Sequence, residues 1–132
     1  MSEGKPRILI VDDEPDLLTV LKFGLETEGY EVIQATDGEQ GLAFARQYLP
    51  DLMVLDLMLP RMDGYKVCRA LKFDERYKRI PIFILSSRSG DTDRRLALEL
   101  GADEVHTKPY DMRSLVASIR ARIGQVSRRK AA

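Results

Sequence analysis

Three short apolar runs, Ile8-Leu9-Ile10-Val11, Leu52-Met53-Val54-Leu55 and Ile82-Phe83-Ile84-Leu85, constrain the fold of this chain more than any other feature. None shows the alternation of a strand with one wet face, and all are too short for a buried helix. Continuous runs of this kind belong to parallel strands covered on both faces. Each also ends in a reactive group: Asp12-Asp13 after the first, Asp56 after the second, Ser86 after the third. A weaker run around Val105 stops at Lys108-Pro109. In open parallel sheets, ligand sites form beyond the carboxyl ends of the strands. Three carboxylates, a hydroxyl and an ammonium are therefore expected to meet at one edge. That set suits a hard cation and a phosphoryl group.

Helical patterns fill the intervals between the runs. Pro15 fits the opening turn of a helix, where its missing N–H costs nothing. Leu17, Leu21 and Leu25 then recur at i, i+4 and i+8, with Leu18 widening the apolar face. Glu28-Gly29 stops this helix before a second strand, Glu31 to Ala35. Gly38 to Tyr48 reads as the next helix, with Leu42 and either Ala45 or Ala43 inward. A turn-rich loop, Leu59 to Gly64, precedes a helix to about Lys72. Beyond Ser86 the pattern predicts a helix from about Asp91 to Leu100, a strand from Glu104 to Thr107 and a last helix from Asp111 to Ile123. Cys68 lies beside Val67 and Leu71 and reads as a small packed hydrophobe; His106 reads as a structural or partly exposed side chain of an edge strand.

Five βα units imply a parallel sheet with right-handed crossovers on both faces. The second and fifth strands are poorest in large aliphatic residues and suit the edges. An order of 2-1-3-4-5 satisfies this and opens a switch point between the first and third strands, where Asp12, Asp13 and Asp56 lie. The fold class expected is a flavodoxin-like (βα)5 doubly wound α/β sheet in a single domain.

At 132 residues the chain suits one domain with a real core. Lys plus Arg and Asp plus Glu balance at 21 each, so no global field argues for nucleic acid or membrane. The single cysteine excludes an internal disulfide and suits a reducing compartment. No signal-peptide pattern is present, and no apolar stretch approaches the roughly 20 residues that span a bilayer. The default expectation is a cytoplasmic protein with no membrane partner. Nucleotide-binding loops are excluded on chemistry: Asp12-Asp13-Glu14-Pro15 is acidic and glycine-free, whereas phosphate cradles need glycine-rich backbone donors.

Taken singly, each residue has a plainer role. Asp12 and Asp13 could cap the first helix, Asp56 could serve a turn, and Ser86 and Lys108 could be loop polarity. Taken together at successive strand ends, they support phosphoryl chemistry. An aspartate carboxylate is a competent nucleophile for an aspartyl phosphate. Clustered carboxylates repel one another and an incoming phosphoryl group, and Mg²⁺ (or Mn²⁺) answers both problems. Asp13 and Asp56 are assigned as direct ligands, with Asp12 direct or through water. Lys108 would meet one phosphate oxygen as a point charge and Ser86 would donate to another.

Val11-Asp12-Asp13-Glu14-Pro15, Asp56 with Leu59-Pro60-Arg61-Met62-Asp63-Gly64, Ser86, and Lys108-Pro109-Tyr110 follow one another in order. From about Pro6 to Ile123 the chain resembles the receiver domain of bacterial two-component response regulators. The resemblance implies an acidic metal-binding pair at Asp12 and Asp13, the phosphoacceptor at Asp56, a hydroxyl switch at Ser86 and a phosphate-contacting lysine at Lys108. It adds the main-chain carbonyl of Met58 as a further metal ligand. It implies a sensor histidine kinase or histidine phosphotransfer protein as donor. The output would be a downstream protein or a covalently linked domain, reached through the helix 4, strand 5 and helix 5 face. Such a domain is not an enzyme toward an external substrate, although it catalyses its own phosphorylation and dephosphorylation, and it does not itself bind nucleic acid.

Two departures matter. Val105 stands where the family usually carries an aromatic ring that reports phosphorylation. Arg94, Asp103 and Glu104 fit the charge pairs of a dimerising subfamily, but Ser118 replaces the matching arginine, so the resemblance leaves dimerisation open. Residues 1–124 are expected to form the receiver, and 125–132 a basic tail or a linker. The alternatives are a phosphorylation-independent interaction module and an aspartate-nucleophile phosphohydrolase. The first would be expected to have lost some site residues. The second needs a second acid two residues after the nucleophile, where Met58 stands.

Overall fold

The computed structural model describes the backbone of residues 4–87 and 91–131, and the side chains of 4–87 and 94–125. Strands and helices alternate throughout: β1 Arg7–Val11, α1 Pro15–Thr27, β2 Glu31–Ala35, α2 Gly38–Tyr48, β3 Leu52–Asp56, α3 Gly64–Lys72, β4 Ile82–Ser86, α4 Asp91–Glu99, β5 Glu104–Thr107 and α5 Met112–Ala131. All strand pairs are parallel, and the order is β2-β1-β3-β4-β5, as the apolar content of the strands requires.

The three apolar runs are buried on both faces, and strict alternation divides them between two cores. Ile8, Ile10, Leu52, Val54, Phe83 and Leu85 pack with Leu18, Leu21 and Leu25 of α1 and with Leu115, Ile119 and Ile123 of α5. Leu9, Val11, Met53, Leu55, Ile82 and Ile84 pack with α2, α3 and α4 through Leu42, Ala45, Val67, Leu71 and Ala97. Full burial of each such side chain contributes about 1.5–3 kcal/mol. The edge strands are only partly covered.

Local chemistry sets the helix ends. Asp37 caps α2 by accepting from Gln40 N at 2.8 Å, while Gln40 Oε1 accepts from Thr36 N at 2.8 Å. Asp63 caps α3 through Lys66 N at 3.0 Å. Pro15 occupies the first turn of α1, and Gly101, at φ 101°, turns the chain out of α4.

Two expectations change and one open alternative is resolved. The inward stripe of α1 is Leu18, Leu21 and Leu25, with Leu17 only half-buried. On α2, Ala45 is buried and Ala43 exposed. Helix α5 does not stop at Ile123 but runs on to Ala131, so the basic segment after Gly124 has helical backbone. One isolated glycine costs a helix only about 1 kcal/mol, and no capping or proline signal follows it.

Candidate functional site

Strand register brings the reactive groups to one level. Val11 lies opposite Leu55, so Asp12 emerges beside Asp56; Asp56 lies opposite Leu85, one residue before Ser86. Ser86 lies opposite Thr107, and Lys108 follows at once. Asp12 N donates to Ala35 O at 3.1 Å, which holds the end of β1 against β2. Lys108 N donates to Ser86 O at 2.7 Å, tying the lysine to the end of β4.

At that edge, carboxylate oxygens of Asp12, Asp13 and Asp56 all lie within 4.8 Å of one another. Asp12 and Asp56 are buried, at 3% and 4% exposure, whereas Asp13 is exposed. Ser86 is buried beside them. Lys108 Nζ reaches over the cluster, 3.1 Å from Asp12 Oδ2, 3.4 Å from Asp56 Oδ2 and 3.6 Å from Glu14 Oε1. Asp12 Oδ1 accepts from Glu14 N at 2.9 Å. Met58 is placed at the site through its amide, which donates to Asp56 Oδ1 at 3.3 Å.

The electrostatics follow from burial and like charge. Burial, then the neighbouring Asp12 carboxylate, raises the Asp56 pKa above the ordinary aspartate value; Lys108 and the Met58 amide offset only part of this. Burial alone would lower the Lys108 pKa, but the charges of Asp12, Asp56 and Glu14 outweigh it and raise it. The Tyr110 hydroxyl is also pushed up, first by burial and then by Asp12. Three carboxylates against one ammonium leave the cluster net anionic. An all-oxygen set with two buried, mutually repelling carboxylates could hold a hard divalent cation.

Asp12, Asp13 and Asp56 are thus in mutual reach and Lys108 pairs with two of them, Asp12 and Asp56, with Ser86 and Met58 at the same edge. Arg88 to Gly90, and the side chains of Asp91 to Asp93, lie outside the described residues. Val105 is a partly buried aliphatic against the α4-side core. His106, on the opposite face of β5, lies over Phe83 with ring centroids 5.7 Å apart and pairs with Glu104 at 2.9 Å. Cys68 is a buried thiol whose pKa burial pushes up to about 11.

Two features escape a strand-end reading. Glu14 joins the site because it is the third acid in a row and its side chain swings back to Lys108. Arg122, one helical turn beyond Ser118 and so on the same face of α5, lies 3.9 Å from Asp103 and 4.0 Å from Glu104 within the chain. Asp103 also holds Lys72 at 2.8 Å and accepts from Ile82 N.

Among the described residues, no helix is long and apolar enough to cross a membrane. Residues 8–120 match the family model of the response regulator receiver domain. The chain is 43% identical over 123 residues to the DNA-binding dual master transcriptional regulator RpaA of Synechocystis, an alignment covering 93% of this chain and 51% of that protein. It is 44% identical over 115 residues to the alkaline phosphatase synthesis transcriptional regulatory protein PhoP of Bacillus subtilis, covering 87% and 47%. The chain therefore spans about half the length of these curated relatives. The crystal structure of the signal receiver domain of a signal transduction histidine kinase from Syntrophus aciditrophicus superposes with a TM-score of 0.87 at 35% identity, covering 93% of each chain. On the family-model match, and with its own strand order β2-β1-β3-β4-β5 and acidic cluster at one sheet edge, the chain belongs to the response regulator receiver domain family of two-component signalling.

Proposed function

We propose that Asp56 accepts a phosphoryl group from a phosphohistidine of a sensor histidine kinase or histidine phosphotransfer protein. The observation that carries this reading is the buried Asp56 carboxylate, grouped with Asp12 and Asp13 and 3.4 Å from Lys108. An Asp56 oxygen attacks phosphorus and forms a P–O bond. The P–N bond to imidazole breaks, and its electron pair stays on the ring nitrogen. Positioning and charge neutralisation, rather than covalent chemistry by other residues, dominate such transfers.

Mg²⁺, held by Asp13 and Asp56, with Asp12 direct or through water and the Met58 carbonyl as a further ligand, would neutralise the carboxylates and the phosphoryl oxygens. Lys108 lies where it can turn from Asp12 and Asp56 toward a phosphoryl oxygen, and the Ser86 hydroxyl donates to another. Water later attacks phosphorus, releasing inorganic phosphate and restoring the carboxylate. These are steps in a signalling cycle, with no external small-molecule substrate.

Phosphorylation then alters the face built by α4, β5 and α5, which controls a downstream protein or a linked output domain. The likeness to transcriptional regulators supports an output in gene control. The test is intact-mass spectrometry after incubation with acetyl phosphate and Mg²⁺. One base-labile phosphoryl adduct is expected on the wild type and none on Asp56→Asn; equal gain on both would overturn the assignment.

A further inference from the structure

The segment from Leu57 to Gly64 joins the candidate nucleophile to α3 and is tied down at both ends. Leu59 N donates to Leu57 O at 3.2 Å, closing a three-residue turn centred on Met58. Gly64 N donates to the same Leu57 oxygen at 2.9 Å, and a Cβ on Gly64 would stand only 2.4 Å from Asp56 O. The base of the loop is thus drawn tight around the Asp56 backbone.

Its apex rests on α2, an element that contributes no group to the chemistry described above. Gly38 N donates to Pro60 O at 3.3 Å. A Cβ on Gly38 would stand 1.7 Å from Met62 O and 2.6 Å from Met62 C, a separation that real atoms never adopt. Arg61, held in the left-handed region at φ 70°, approaches Asp37 Oδ2 with its Nε at 3.6 Å. Asp37 is at the same time the α2 cap, bound to Gln40 N. The loop apex therefore meets a stiff, capped helix start at a point where only a hydrogen side chain fits. Nothing local in the α2 sequence requires glycine there, since φ is not in the left-handed region.

We propose that Gly38 is a positioning residue: it moors the loop apex on α2 and so holds the Met58 backbone against Asp56, in the place where the metal reading needs it. The proposal rests on that reading. A side chain at position 38 must lift Pro60 to Met62, and the short closed turn passes the displacement to Met58. Groups that orient metal ligands without touching the ion typically set affinity by 10–100-fold, and a mooring of this kind belongs among them.

The experiment is an Mg²⁺ titration of ¹⁵N-labelled protein, followed at the Met58 and Leu59 amides. Gly38→Ala is expected to weaken Mg²⁺ binding roughly 10–100-fold. Ala43→Gly, on the exposed side of the same helix, serves as the control: it should lower the melting temperature by roughly 2–6 °C and leave Mg²⁺ affinity unchanged. A folded Gly38→Ala with wild-type affinity would overturn the proposal, as would an equal loss of affinity in the control. Should Gly38→Ala not fold, the wild type decides through reciprocity: if mooring favours the metal, saturating Mg²⁺ must slow hydrogen exchange of the Gly38 amide. Unchanged exchange with Mg²⁺ bound would overturn it. No response of Met58 to Mg²⁺ in the wild type would instead overturn the metal reading itself, and the mooring's role with it.

Discussion

Lys108 Nζ stands 3.4 Å from Asp56 Oδ2, a distance set by the register of two strands that are not neighbours in the sheet. The same nitrogen is closer to Asp12, at 3.1 Å. The ammonium is shared among carboxylates, so it compensates each of them only in part. Asp56 retains a raised pKa despite this cationic neighbour.

Ionised Asp56 should therefore cost stability when no metal is bound. The raised folded pKa means that its contribution is fully present below the ordinary aspartate value of about 3.9 and is lost as pH rises through the folded value. Asp56→Asn should be more stable than the wild type in chelator at pH 7, by on the order of 1 kcal/mol, with Lys108 still held by Asp12 and Glu14. The gap should close as pH falls below about 4. Urea denaturation of both proteins between pH 3 and 7 checks this, and a gap that widens toward low pH would refute the sign.

Asp13 is the exposed member of the acidic cluster, so it can be removed without opening a cavity. Asp13→Ala should match or exceed the wild type in metal-free stability, because it relieves repulsion. It should also lose most of the stabilisation that Mg²⁺ confers, which reaches about 2.7 kcal/mol for a ligand at a hundred times its Kd. Thermal melts with Mg²⁺ and with chelator measure both effects. An undiminished Mg²⁺ shift in the variant would remove Asp13 from the ligand set.

The third prediction concerns how the signal leaves the site. Phosphoryl contacts must favour the active arrangement over the inactive one, and in the proposed site the acids would be committed to the metal. On the proposed reading, Ser86 and Lys108 would supply that difference. Ser86→Ala should still accept the phosphoryl group but lose most of the response at α4 and β5. Amide shifts of Ala97 to Leu100 and of Glu104 and Val105, with and without beryllofluoride standing in for the phosphoryl group, report it. Full-sized shifts in the variant would mean another route.

Strand identity and order were legible because a short, unbroken apolar run suits a strand covered on both sides and little else. The acidic cluster and its lysine were legible for the same reason, since Asp12-Asp13, Asp56 and Lys108 stand at or just beyond the ends of apolar runs. The misplaced Leu17 shows the limit of counting by fours. Leu17 and Leu25 stand about 80° apart around a 3.6-residue helix, whereas Leu18 and Leu25 differ by only about 20°. The extent of α5 was missed because a lone Gly124 is a weak stop. Gly38 and Arg122 were invisible for a different cause: their partners, Met62 and Glu104, are remote in sequence and set by tertiary approach.

The hydrogen bond from Lys108 N to Ser86 O couples the two groups assigned to the phosphoryl oxygens. The hydroxyl ends β4 and the ammonium follows directly on β5, and the two chain segments share this link, so neither backbone can advance far without dragging the other. If Asp56 is phosphorylated as proposed, the response would have one mechanical coordinate. A substitution that slackens this link should blur the distinction between the two states before it abolishes either.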